Sequence, residues 1–130
     1  MSIVKTLKEV SKGLLMTSES DYPFEVILWE GKAKEPLTVE KMLQVTNHSI
    51  DTSVEIVDLD YLFRNAAQEK EWHDEQQKAT VKQFQLLLET LKNNLSDLQV
   101  YRVGTIEVDV YIVGKNESDL VGLSTKLIET

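Results

Sequence analysis

The sequence has 130 residues, 14 of them Lys or Arg and 22 Asp or Glu, for a formal net charge of −8. With 42% apolar residues, a chain of this length forms one domain with its own core, burying roughly two thirds of the surface it exposes when unfolded. A pI near 4.7 sets the surface against DNA, RNA and anionic membranes, which repel acidic proteins; where nucleic acid matters, such a chain imitates it rather than binds it.

The N-terminal stretch places Ile3, Leu7, Val10 and Leu14 on one stripe with Lys5, Lys8, Glu9 and Lys12 between them, the pattern of an amphipathic helix weakened at its end by Gly13. The same charges interrupt any apolar core of a signal peptide. No run in the chain approaches the ~20 apolar residues of a membrane span, so a soluble, cytoplasmic protein is expected. Thr17 to Pro23 is polar and ends in proline, which reads as an exposed loop. Phe24 to Trp29 reads as a strand stopped by Gly31. Pro36 and Thr38 introduce a short helix, with Thr38 as N-cap and Glu40 in the first turn, ending near Asn47.

Ser53 to Leu59 reads as a second strand, with Val54 and Ile56 on one face and Glu55 and Val57 on the other. Tyr61, Leu62 and Phe63 open a short helix. The charged segment Gln68 to Gln77, which carries Trp72, leads into the strongest helix, where Val81, Phe84, Leu87, Leu88, Leu91 and Leu95 form one stripe. Val100 to Val103 and Thr105 to Val113 are β-rich runs around Gly104, a turn or bulge. Gly114 to Ser118 reads as a loop, and Leu120 to Thr130 as either a last helix or a strand broken by Gly122. Helices mixed with hairpin-like strands, without βαβ alternation, predict a single α+β domain over residues 1–130 with an antiparallel or mixed sheet.

Chemistry is sparse. Cysteine is absent, which removes disulfides, thiolate nucleophiles and Cys-based metal sites. His48 and His73 are the two imidazoles, no nucleophile elbow occurs, and the five scattered glycines form no phosphate loop. Trp72-His73-Asp74-Glu75 and Asp58-x-Asp60 offer carboxylates and an imidazole. Adjacent helical residues diverge by about 100°, so they do not share one metal face, and solvated charge is the simpler reading. Trp72 has two readings: a residue folded onto the core at the helix start, or an exposed anchor for a partner.

Taken in order, Gly13-Leu14-Leu15-Met16, Ser18-Glu19-Ser20-Asp21-Tyr22-Pro23-Phe24-Glu25-Val26, Leu28-Trp29-Glu30-Gly31, Val100-Tyr101-Arg102-Val103-Gly104 and Ser124-Thr125-Lys126-Leu127-Ile128-Glu129-Thr130 resemble the cyanobacterial nuclease A inhibitor family over essentially the whole chain. The resemblance implies an α-β-α sandwich like that of plant pathogenesis-related proteins of class 1, without enzymatic activity or a cofactor. It implies a protein that blocks a sugar-non-specific, Mg²⁺-dependent endonuclease. Glu19 then stands in for a phosphate, flanked by Ser18 and Asp21. Thr130, preceded by Glu129, offers oxygens to the nuclease's Mg²⁺, the inhibitor having no metal of its own. Trp72 supplies the apolar contact, with Asp74 and Glu75 as rim charges. Two other classes stay open: an interaction module of the same fold with another partner, and a small metal-dependent enzyme using Asp58, Asp60, His73 and Glu75.

Overall fold

The computed structural model of the chain describes residues 2–17, 19–35, 37–64 and 66–129. Its elements in order are α1 (Ile3–Ser11), β1 (Leu15–Thr17), β2 (Asp21–Pro23), β3 (Glu25–Trp29), a 3₁₀ turn (Lys32–Lys34), α2 (Val39–Val45), β4 (Val54–Val57), α3 (Leu59–Leu62), α4 (Glu75–Asn94), β5 (Ser96–Val103), β6 (Glu107–Asn116) and β7 (Asp119–Ile128). Five strands form one sheet in the order β3-β7-β6-β5-β4. Every neighbouring pair is antiparallel, so of the antiparallel and mixed alternatives the sheet takes the first. β1 and β2 pair separately.

Successive residues of a strand face opposite sides, and on β5 both Val100 and Tyr101 are buried. The sheet must therefore be covered on both faces. On one face Leu7 of α1, Leu59 of α3 and Phe84, Leu87 and Leu91 of α4 pack with Val100, Val110, Ile112 and Leu123. Phe24, Phe63 and Phe84 join there, with ring centroids 5.8–6.3 Å apart. On the other face Met42 and Leu43 of α2 pack with Tyr101 and Val103, beside a smaller cluster of Ile27, Val113 and Leu120. His48 Nε2, just past α2, lies 3.0 Å from the Tyr111 hydroxyl and 3.2 Å from an Asp109 carboxylate oxygen. The result is helix on sheet on helix.

The predicted helices are present, with the α4 stripe buried at Val81, Phe84, Leu87 and Leu91. Thr38 caps α2 as expected, its hydroxyl oxygen accepting the Lys41 N–H at 3.2 Å, while Pro36 lies outside the described residues. The helix stops at Val45 and Asn47 takes φ +60°. Gly104 is a turn residue at φ +106°. The short helix after β4 starts two residues early and is one turn long. β4 is shorter than predicted, and Ile56 on it is exposed.

Three expectations are corrected. Thr17–Pro23 is not a plain loop, because its flanks pair as the hairpin β1–β2. Gly114 to Asn116 belong to β6, and the loop shrinks to a two-residue turn at Glu117 and Ser118. Leu120 to Ile128 is strand β7 and not a helix, and Gly122 does not break it. A Cβ at Gly122 would lie 1.6 Å from the Ile112 carbonyl oxygen, so glycine marks a close strand approach at the centre of the sheet.

Candidate functional site

The register of the β1–β2 hairpin, Leu15 opposite Pro23 and Thr17 opposite Asp21, leaves Glu19 and Ser20 exposed at its tip. Asp21 is exposed beside them. Met16 is buried, which roots the hairpin in the core. Thr125 of β7 adds a second tie, its hydroxyl donating to the Pro23 carbonyl at 2.9 Å and to the Tyr22 carbonyl at 3.4 Å. Ser18 lies outside the described residues.

Trp72 is 77% exposed, which removes the reading that folds it onto the core. Its ring meets His73 edge to face with centroids 6.0 Å apart. His73 is itself fixed locally: its backbone N–H donates to the Lys70 carbonyl at 3.1 Å, and its Nδ1 accepts the Lys70 N–H at 3.2 Å. That acceptance puts the proton of the neutral ring on Nε2. Asp74 is the N-cap of α4, accepting the Gln77 N–H at 2.7 Å while the Gln77 side chain accepts the Asp74 N–H at 2.8 Å. This capping box fixes where the Trp72 segment turns into the helix. Glu75 is exposed in the first turn.

Glu129 follows β7 and is exposed. Its N–H donates to the Ile106 carbonyl at 2.8 Å, and its carboxylate pairs with Arg102. Thr130 lies outside the described residues. On the opposite face of the β6–β7 pair, Lys126 donates to Glu107 at 2.5 Å. That bond holds the Glu107 carboxyl below the usual glutamate range and lifts the Lys126 ammonium above the usual lysine range.

These separate segments meet around one cleft of ≈ 740 Å³. Leu15 and Met16 of the hairpin, His73 and Asp74 beside Trp72, and Leu127 and Glu129 at the end of β7 all line it. Leu62, Val81 and Phe84 add apolar lining. The structure thus brings the β1 root of the hairpin, the residues after Trp72 and the residue before Thr130 to one cleft, while Glu19 and Trp72 themselves are not among its lining residues. The sequence reading missed Arg102 and Arg64, which also line the cleft. The available signal for Arg102 was a lone cation in the β-rich run Val100-Tyr101-Arg102-Val103.

The residues of the metal-enzyme alternative do not assemble. Asp60 is engaged by the Lys92 ammonium at 2.7 and 2.9 Å, and His73 Nδ1 is occupied by the backbone. Among the described residues no group of three or more His, Asp or Glu is placed to hold a metal. Among those residues no helix is long and apolar enough to cross a membrane. The family model described as nuclease A inhibitor-like protein matches residues 1–130. No curated protein matches the chain.

Proposed function

The chain belongs to the nuclease A inhibitor-like family, and from that premise we propose that it binds and occludes the active cleft of a sugar-non-specific, Mg²⁺-dependent endonuclease. The observation that carries this reading is the convergence of the hairpin, the Trp72 segment and the end of β7 on one cleft. A nuclease that cuts DNA and RNA alike presents cationic groups to phosphate and a divalent metal to the scissile oxygen. Glu19, projected on a rooted hairpin, replaces the phosphate and accepts charge-assisted hydrogen bonds from Arg or Lys of the enzyme. Thr130 supplies hard oxygen to the enzyme's Mg²⁺, which exchanges a water for it.

Trp72 supplies the apolar anchor, since a rigid exposed indole buries a large area at little entropic cost. Glu75, Asp21 and Ser18 form the acidic and polar rim. Asp74 contributes there while one of its oxygens serves the helix cap. In this sense the surface imitates nucleic acid. Its α-β-α layering, which we liken to plant pathogenesis-related proteins of class 1, provides the rigid frame.

The test is degradation of plasmid DNA and of RNA by a purified sugar-non-specific Mg²⁺ nuclease, with the protein titrated in. Loss of both activities saturating near one inhibitor per enzyme is expected. Full activity at large excess removes this reading and leaves a family member directed at another partner.

A further inference from the structure

We propose that Arg102 is a positioning residue that clamps Glu129 just past β7, next in sequence to Thr130, and that inhibition depends on this clamp; this rests on the inhibitor reading above. The argument begins with register. Arg102 on β5 lies opposite Glu55 on β4 and Val110 on β6, and Val110 lies opposite Thr125 on β7. Val110 packs in the cluster under α1 and α4, so this cross-strand row faces that side and Arg102 enters the cleft there.

Its guanidinium then joins three parts of the sheet. Nη1 donates to Glu55 at 2.9 Å, and Nη2 pairs with the Glu129 carboxylate. The Arg102 side chain is 22% exposed, but its Glu55 and Glu129 partners are 62% and 45% exposed, so solvent weakens the charge attraction and the guanidinium's geometry carries more of the hold. A planar fork with fixed N–H directions sets an angle as well as a distance, which an ammonium does not. The main chain of Glu129 is held independently by its N–H to the Ile106 carbonyl at 2.8 Å, one step beyond the last paired residues, Glu107 and Ile128. Glu129 is therefore fixed at both backbone and side chain, and Thr130 is one peptide bond away.

The arrangement carries a cost. Among the described residues Arg102 Nε is buried with no hydrogen-bond partner. A Leu or Met on this row would line the cleft without that unsatisfied donor. Retaining the guanidinium is accounted for by what its two other nitrogens hold. A residue that is already held, as Glu129 is, loses less entropy when a partner engages its segment, which raises affinity without any new contact.

The experiment compares wild type, Arg102→Gln and Arg102→Lys, each with and without deletion of Thr130. Melting temperature, exchange of the Glu129 amide by NMR, and inhibition of a sugar-non-specific Mg²⁺ nuclease are measured. Arg102→Gln is expected to speed Glu129 amide exchange about tenfold or more while amides of the sheet centre keep their protection. It should weaken inhibition about tenfold to a hundredfold, with Arg102→Lys recovering part of the loss. In the chain without Thr130 the Arg102 substitution should cost nothing further, because its effect acts through that residue.

Unchanged amide exchange together with unchanged inhibition in Arg102→Gln overturns the clamp. So does a loss of inhibition that adds fully to the Thr130 deletion, which makes Arg102 a direct contact or a general stabiliser. If the wild type inhibits no nuclease, the inhibitor reading fails by itself. Exchange at Glu129 then decides the clamp, slow in wild type and fast in Arg102→Gln supporting it and equal rates refuting it.

Discussion

Under the proposed function, Glu19 depends on how it is held. A carboxylate on a floppy segment loses much of its electrostatic gain to ordering, whereas one at the tip of a paired hairpin has that ordering supplied by folding. Changing Glu19→Ala or deleting Thr130 is expected to weaken inhibition by about 2–4 kcal/mol each, mainly through faster dissociation. Stopped-flow association and dissociation rates check it. Glu107 yields an expectation about folding instead. Its carboxyl is held below the usual glutamate range by the hydrogen bond and charge of Lys126, so the folded state binds this proton less readily than the unfolded state. The stability it contributes is present above the ordinary glutamate range and is lost as pH falls through the depressed folded value. Urea unfolding of Glu107→Gln against wild type should therefore differ at neutral pH and converge in acid.

Among the elements, α4 and its entry are the clearest case of sequence determining structure. Asp74→Ala removes the capping box and is expected to cost about 1 kcal/mol of stability. Chemical denaturation read beside inhibition separates that loss from any lost rim contact. β7 is the opposite case. Gly122→Ala places a Cβ where the Ile112 carbonyl oxygen sits 1.6 Å away, so the strands must part. An expected loss of about 3 kcal/mol follows, measured by urea unfolding.

The contrast explains what was legible. The α4 stripe and the β5 and β6 runs announce themselves because burial of one face imposes a period on local sequence. β7 stays one of two readings in the sequence because a glycine reads as a breaker unless the neighbouring strand's approach is known. The β1–β2 hairpin hid because its tip is all polar, its roots being the single buried Met16 and a hydroxyl on a distant strand. For the site, family-specific residues pointed to Glu19, Trp72 and Thr130. Arg102 as a clamp depends on a cross-strand register that no linear pattern contains.

Over the whole molecule the charge of −8 acts at long range. Under the proposed function, attraction to a basic nuclease cleft raises the association rate, while a few buried contacts set the lifetime of the complex. Raising salt from about 20 mM to about 500 mM should slow association tenfold or more and change dissociation little, because the Debye length shrinks across that range. Surface plasmon resonance at graded salt measures both rates. Rates that respond equally to salt would place the charge inside the interface and not around it.

The placement of β3 beside β7 has a consequence for synthesis. Glu25 lies opposite Ser124 and Trp29 opposite Leu120, so an early strand waits for the last one before the sheet can close, a topology with slow, non-local pairing. During translation the N-terminal hairpin emerges long before Thr125, whose hydroxyl ties it down. A ribosome-bound chain that has not yet released β7 therefore holds Glu19 without the frame that aims it. Under the proposed function, inhibitory capacity should appear only once β7 has been made, and chains cut before β7 should not inhibit.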